Sequence, residues 1–283
     1  MVIGKFYNGS GLGNMLHRYV ATRVLALDKG FDYGMVYLDD GAGKEQGFKG
    51  KFFIEQPKLV DYPIEYKEWH EKKITENGVD IRGYDPEFNF IEDNTLIEGE
   101  FQDSRYFSHR LKEVDEWLKV EPIDISDDTC VIGFRGGEFA IYPDLFLNRI
   151  YWLDAIKHIR TINPNMRFEV QTDDVLLARA FFPDFKVIHD IGYNWRAIRY
   201  AKYLILSNSS FGILPSILNK NVELVIAPKY FARHNVSDGY WALEQNLYKK
   251  FTYLDREGKL SSYDTCKKEL EEYNEKRGRN KMY

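Results

Sequence analysis

The sequence contains little cysteine, which excludes a fold held together by a disulfide framework. Only Cys130 and Cys266 occur among 283 residues, whereas disulfide scaffolds carry several pairs in a much shorter chain. Cys130 lies in an apolar run typical of a strand, and Cys266 lies in a charged segment near the carboxyl terminus. This cysteine usage is typical of a reducing compartment.

Long apolar runs and an excess of positive charge are missing as well. No run approaches the ~18 apolar residues that cross a bilayer, and the chain opens on a strand pattern in place of a charged and apolar leader. We therefore expect a cytoplasmic protein with no membrane span. The formal net charge is −5, so the overall charge gives no support to a nucleic-acid partner.

Signals for metal and dinucleotide sites are weak. The six histidines are scattered, with no pair at metal-ligand spacing, and we expect no metal site. Asp173 and Asp174 could together hold a divalent ion, but neighbouring side chains at a strand end point in different directions, so we favour nucleotide contact or helix capping. The Gly-x-Gly-x-Gly pattern at 9–13 lacks the glycine that a dinucleotide fingerprint needs where Asn14 stands, so NAD is not expected.

A regular alternation of strand and helix patterns is present instead. Hydrophobic residues make up 44% of the chain, enough for a packed core. Strand patterns separated by helical patterns lie near 129–134, 167–172, 186–188, 203–207 and 222–227. Such alternation predicts an α/β fold with a parallel, doubly wound sheet. We expect Rossmann-like domains at 1–122 and 123–240, followed by a mostly charged helical tail at 241–283.

Polar residues follow three of these predicted strands, at 135–138, 173–174 and 207–211. Ligands of parallel sheets bind at the carboxyl ends of the strands. These residues therefore predict a nucleotide pocket that contains the guanidinium of Arg135, two carboxylates and a hydroxyl-rich turn. The Ser-Asn-Ser-Ser of the last segment has an alternative role, because Ser and Asn also cap helices without any ligand. For such a segment in isolation, capping is the commoner role.

Five segments in the same order resemble motifs of a known family. They read G-S-G-L-G-N-M-L-H-R-Y at 9–19, E-G-E-F-Q-D-S-R-Y-F at 98–107, G-F-R-G-G-E-F at 133–139, Q-T-D-D at 171–174 and S-N-S-S-F at 207–211. This series resembles the inverting fucosyltransferases of glycosyltransferase family 11 and the related α-1,6- and protein O-fucosyltransferases. The resemblance implies a GT-B arrangement, with two Rossmann-like domains facing a cleft, the first on the acceptor side and the second binding a GDP-sugar.

The resemblance also implies roles for individual residues. Arg135 would bind the donor diphosphate and stabilise departing GDP, Asp173 would read guanine, and Asp174 would contribute beside it or cap the next helix. The remaining donor-binding residues implied by the resemblance are Gly13, Asn14, Ser209, Ser210 and Phe211. No cofactor is implied besides the GDP-sugar, and the second substrate would be a glycan acceptor.

The chain also departs from the family pattern. Gly133 replaces a histidine, Gly136 replaces the second arginine, and Glu138 replaces an aspartate, while Ile213 and Leu214 stand where the family has paired tryptophans. These departures leave two alternatives to a fucosyltransferase. One is a transferase for another GDP-sugar, such as a heptose or mannose, and the other is an inactive relative that binds nucleotide or glycan.

The chemistry expected is a metal-independent, inverting displacement at an anomeric carbon. Negative charge develops on the leaving phosphate, and stabilising it is the largest catalytic effect available, which assigns Arg135 the main catalytic role. Glu138, His17 and Glu100 are candidates for the general base by position, with Glu138 preferred. The aromatic run at 230–241 could stack on a sugar, although closing the core is the favoured role.

Overall fold

The computed structural model describes residues 1–7, 9–37, 49–63, 65–76, 79–237, 239 and 246–277. It divides into two compact units, an amino-terminal unit that ends at Glu121 and a carboxy-terminal unit that begins at Pro122. Each unit is built on its own parallel sheet. The predicted α/β fold with two parallel-sheet domains is confirmed.

The amino-terminal unit contains a four-stranded parallel sheet. Its elements are β1 (Val2–Phe6), α1 (Leu12–Lys29), β2 (Tyr33–Tyr37), β3 (Lys67–His70), β4 (Ile74–Glu76), β5 (Val79–Ile81), β6 (Thr95–Glu98) and α2 (Leu111–Trp117). The strand order is β2-β1-β6-β3, and β4 and β5 form a separate antiparallel pair. β1 is buried along its whole length, as its apolar sequence predicts.

Helix α1 packs closely on β1. A side chain at Gly4 in the middle of β1 would overlap the Thr22 hydroxyl of α1, so the close approach requires glycine. The helix ends at Gly30, which has φ 69° and donates its backbone N–H to the carbonyls of Ala26 and Leu27. A left-handed glycine of this kind is a common end for a helix.

The carboxy-terminal unit contains a seven-stranded sheet. Its elements are β7 (Thr129–Phe134), α3 (Arg149–Ile162), β8 (Arg167–Thr172), α4 (Val175–Phe181), β9 (Lys186–Ile188), α5 (Ile191–Tyr200), β10 (Tyr203–Leu206), α6 (Ile213–Leu218), β11 (Leu224–Pro228), β12 (Phe251–Leu254), β13 (Leu260–Ser262) and α7 (Tyr263–Lys276). The order is β13-β12-β11-β10-β7-β8-β9, and only β13 runs antiparallel to its neighbour.

The core of this unit lies between the central strands and helices α3 and α4. Trp152 of α3 is 1% exposed, and its ring lies 5.8 Å from that of Phe182 at the end of α4. Phe134, the last residue of β7, packs against both Trp152 and Phe181. The aromatic contacts therefore fix α3 and α4 on the same face of the sheet and anchor the end of β7.

The end of the chain differs from the predicted helical tail. Residues 241–245 and 278–283 lie outside the described residues, but 251–254 and 260–262 form two strands that extend the large sheet. The turn between them contains Gly258 at φ +78°. Helix α7 buries Cys266 and Leu270, so it is packed along one side. The strands were missed because three or four residues carry too little periodicity to outweigh the charged residues around them.

No helix in the described part of the chain is long and apolar enough to cross a lipid bilayer.

Candidate functional site

Three neighbouring strands of the large sheet end at the same level. Leu206 of β10 pairs with Gly133 of β7, and Phe134 of β7 pairs with Thr172 of β8. The segments 135–138, 173–174 and 207–211 therefore leave the sheet side by side at its carboxyl edge. The sequence predicted this edge as the ligand site, and in α/β sheets it is the edge where ligands bind.

Arg135 is held between two carboxylates at this edge. Its guanidinium forms ion pairs with Asp173 and with Glu138, the latter at 2.8 Å between Nη2 and Oε1. It also lies 5.1 Å from the centre of the Phe139 ring. These contacts orient the guanidinium. Because the Arg135 side chain is 29% exposed, the guanidinium is still accessible to an anion in solvent.

Asp173 holds the backbone of the same turn. Its Oδ1 accepts a hydrogen bond from the Gly136 N–H at 2.8 Å, while Oδ2 faces Arg135. A Cβ atom at Gly137, which has φ +48°, would lie 2.6 Å from Asp173 Oδ2. One carboxylate thus fixes both the side chain of Arg135 and the path of the glycine turn that follows it. The sequence-based role for Asp173 was contact with guanine, and this pairing was not foreseen.

The structure also explains the missing second arginine. A Cβ atom at Gly136 would lie 2.7 Å from the Cβ of Asp174, so no side chain fits at this position with Asp174 in place. Asp174 itself caps α4, because its Oδ1 accepts the Leu177 N–H at 3.0 Å. Of the two uses proposed for Asp174 from the sequence, capping is the one that its contacts provide.

The Ser-Asn-Ser-Ser segment after β10 forms a short capped turn. Ser209 Oγ accepts the Phe211 N–H at 3.4 Å and begins a 3-10 turn over Ser210–Gly212, which leads into the six-residue helix α6. Asn208 is buried and donates to the Leu145 carbonyl at 2.7 Å. The Phe211 ring lies edge-on to Trp195. Asn208 and Phe211 therefore have structural roles, and Ser209 caps the turn. Ser209 and Ser210 stay partly exposed.

The loop after β11 supports the same edge. His234 is 2% exposed, its Nδ1 lies 3.0 Å from the Lys229 carbonyl, and its ring packs on Tyr151. Burial lowers the pKa of His234 and raises that of Tyr151. The Tyr151 hydroxyl donates to the Leu206 carbonyl at the end of β10. Within the described part of the 230–241 run, His234 therefore packs in the interior of the unit.

Gly13 and Asn14 lie in the first turn of α1 in the amino-terminal unit. Asn14 Oδ1 accepts a hydrogen bond from Gln102 Nε2 at 3.0 Å, and the Gly13 carbonyl lies 2.8 Å from His17 Nδ1. His17 is fully buried, and desolvation lowers its pKa to about 4. A histidine with no exposed surface cannot exchange a proton with a bound substrate, which removes His17 from the base candidates.

Glu100, the next base candidate, follows β6 in the same unit. Its Oε1 accepts a hydrogen bond from Arg18 Nη2 at 2.8 Å. Arg18 is buried and also donates to the Gly99 carbonyl and to Ser10 Oγ. Its guanidinium carbon lies 4.3 Å from the centre of the Tyr7 ring. Arg18 therefore ties the start of α1 to the residues that follow β1 and β6.

Glu71 is a buried carboxylate after β3 that no sequence pattern singles out. Its Oε2 accepts the backbone N–H groups of Glu100 at 2.7 Å and of Phe101 at 3.3 Å, and Phe101 has φ +50°. Burial raises the pKa of Glu71 to about 7 despite these bonds. In the sequence, Glu71 stands among charged residues and is indistinguishable from a surface side chain.

Within the described residues, no group of three or more His, Cys, Asp and Glu side chains is arranged to hold a metal ion.

No family model and no curated protein matches this chain. Among solved structures it is similar to the E. coli heptosyltransferase WaaC with ADP, at a TM-score of 0.45 and 11% identity over 99% of each chain. A family 9 glycosyl transferase from Veillonella parvula gives 0.47 and 12% over 96% of this chain and 91% of that one. The NodZ alpha-1,6-fucosyltransferase soaked with GDP-fucose gives 0.42 and 12%, over 80% and 94%. These TM-scores, all below 0.5, and identities of 11–12% do not establish a shared reaction.

Proposed function

We propose that this chain is a metal-independent, inverting glycosyltransferase that moves a sugar, L-fucose in the first place, from a GDP-sugar to a hydroxyl of a glycan acceptor. The observation that carries the proposal is Arg135, an accessible guanidinium oriented by Asp173 at the carboxyl edge of a parallel sheet. The hydroxyl-rich turn at 207–211 leaves the adjacent strand at the same level. The five motifs in family order supply the reaction class.

In the proposed reaction, Arg135 stabilises the charge that develops on the β-phosphate as the sugar leaves. A preoriented donor of this kind typically contributes about 10²–10³ in rate. The diphosphate would take the place of the Glu138 carboxylate on Arg135 Nη2, because Glu138 is the more exposed of the two partners, at 68% against 30% for Asp173. Asp173 would then remain in place and keep the guanidinium oriented toward the diphosphate.

Once released from Arg135, Glu138 could also act in the transfer step. A carboxylate displaced by the donor is free to accept the proton of an acceptor hydroxyl, the role of a general base. Gly13, Asn14, Ser209, Ser210 and Phe211 are proposed to contact the donor, and the protein is proposed to work in the cytoplasm. A cofactor other than the donor and a nucleic-acid partner are not part of this proposal.

A second candidate function is transfer of another GDP-linked sugar, such as a heptose or mannose. The observation that favours it is the packing of Asp174 against Gly136, which excludes the second arginine of the fucosyltransferase motif. One cation fewer at the donor changes which sugar and phosphate geometry fit best. An inactive, nucleotide-binding relative would give GDP binding without transfer of any donor sugar.

Thermal denaturation of the purified protein with GDP, UDP, CMP or NAD, in the presence of EDTA, tests the proposal. A ligand at a hundredfold excess over its dissociation constant stabilises the native state by about 2.7 kcal/mol. We expect stabilisation by GDP alone, lost in Arg135→Ala and kept in the control Arg167→Ala, which removes an exposed arginine paired with Asp128. No response to GDP, or a larger response to UDP or NAD, contradicts the donor assignment.

A donor screen distinguishes the candidate sugars. GDP-fucose, GDP-mannose and a GDP-heptose are each incubated with the protein, and release of GDP by hydrolysis is followed. Turnover of GDP-fucose supports the first proposal, and turnover of another donor alone supports the second. GDP binding with no turnover of any donor, alone or with glycan acceptors, leaves the inactive relative.

A further inference from the structure

The outer surface of helices α3 and α4 combines exposed aliphatic side chains with basic ones. Ile150 and Leu153 of α3 are 60% and 54% exposed, and Leu176 of α4 is 81% exposed. Both helices bury their other sides in the core of the carboxy-terminal unit, through Trp152, Ala155 and Ala178 among others. The exposed aliphatic residues therefore contribute nothing to that core.

The topology places these residues on one surface. The connections from β7 to β8 and from β8 to β9 step in the same direction across the sheet, and right-handed crossovers then put both helices on the same face. The contact between Trp152 and Phe182 confirms that α3 and α4 are neighbours. Ile150, Leu153 and Lys157 follow the i, i+3, i+7 spacing of a single helical stripe.

The charge of this surface is opposite to that of the whole chain. Helices α3 and α4 carry four exposed basic side chains, Arg149, Lys157, Arg160 and Arg179, against the single acidic residue Asp154. The chain as a whole has 39 basic and 44 acidic residues. We call the surface formed by Ile150, Leu153, Leu176 and these four basic residues the α3–α4 surface.

We propose that the α3–α4 surface docks this protein onto an anionic lipid membrane, with the aliphatic side chains in the interface and the basic ones on lipid headgroups. Aliphatic side chains flanked by Lys and Arg are the pattern of membrane-surface contacts. Two copies of the chain would bring like charges together. This inference does not rest on the proposed function.

Co-sedimentation of the full-length protein with vesicles tests the proposal. Vesicles of phosphatidylcholine with phosphatidylglycerol are compared with vesicles of phosphatidylcholine alone, at low and high salt. We expect binding to the anionic vesicles that weakens as salt screens the headgroups. Each of Ile150→Ser, Leu153→Ser and Leu176→Ser should weaken it by on the order of tenfold, and Lys157→Gln by roughly fivefold.

A matched control uses exposed aliphatic residues of the other unit. Ile54 and Leu59 are 59% and 57% exposed, so Ile54→Ser and Leu59→Ser remove similar apolar surface and should leave binding unchanged. Thermal melts of all variants show that each one folds. Absence of binding by the unmodified protein overturns the proposal, as does equal binding to both kinds of vesicle. A dimer in solution that the α3–α4 variants abolish would assign the surface to a second copy instead.

Discussion

Asp173 and Arg135 form an ion pair across two neighbouring strand ends, although 38 positions separate them in the chain. The same Asp173 carboxylate accepts the N–H of Gly136. The pair therefore fixes at once a guanidinium and the backbone turn that carries it. If Arg135 binds a diphosphate as proposed, only the exposed Glu138 has to move, because Asp173 already orients the guanidinium.

This arrangement predicts that Gly137→Ala lowers the stability of the protein by more than the cost of placing an alanine at positive φ. Gly137 has φ +48°, and a methyl group there would lie 2.6 Å from Asp173 Oδ2. Gly30 has φ +69° with open space around its Cβ position, so Gly30→Ala measures the conformational cost by itself, about 1–2 kcal/mol. We expect Gly137→Ala to lose more stability in urea denaturation and also to lose GDP binding. Equal losses of stability with GDP binding intact would contradict the role of the turn.

Replacement of Glu138 should separate donor binding from transfer. Glu138→Gln removes a negative charge from Arg135 Nη2, so GDP should bind at least as tightly in titration calorimetry. If Glu138 accepts the acceptor proton, the transfer rate falls by about 10²–10⁴. The same change at Glu100, which is held by Arg18, serves as the comparison. A normal transfer rate in Glu138→Gln with a reduced one in Glu100→Gln would move the base to the amino-terminal unit.

The buried Glu71 predicts an unusual contribution to the pH dependence of stability. Its pKa is raised from 4.5 to about 7 by burial, so between these values the folded state binds more protons than the unfolded state. The contribution of Glu71 to the free energy of unfolding therefore decreases as pH rises through this window, by roughly 3 kcal/mol. Glu71→Gln should remove this component.

The measurement is urea denaturation of both proteins at pH 5 and pH 8. Only the difference between the two proteins is informative, because the buried His17 and His234, whose pKa values are lowered, change stability in the opposite direction as the pH rises. A difference that is the same at both pH values would show that Glu71 titrates as an ordinary glutamate.

Both thiols should be unreactive in the folded protein. Cys130 and Cys266 are free and buried, and burial raises the pKa of Cys130 and takes that of Cys266 to about 12, so little thiolate forms at neutral pH. Labelling with a chromogenic disulfide reagent should proceed only in denaturant, with two thiols per chain. Rapid labelling of Cys266 in buffer would show that α7 opens from the sheet.

Much of the fold and the position of the candidate site were predictable from the sequence. Strands and helices of ordinary length carry their own periodicity, so β7, α3, β8 and β10 are evident in the residues themselves. In a parallel sheet every strand ends at the same edge, which places Arg135, Asp173 and Ser209 near one another without knowledge of the coordinates.

The contacts that give these residues their roles were decided by the tertiary structure. The pairing of Asp173 with Arg135, the exclusion of a side chain at Gly136 and the burial of Glu71 join residues far apart in sequence, and no local pattern records such contacts. Strands β12 and β13 have three or four residues each, and only pairing with β11 and with each other makes them strands. Local periodicity thus determined the elements and the edge where they end, while packing between distant segments determined which side chains are held, buried or exposed there.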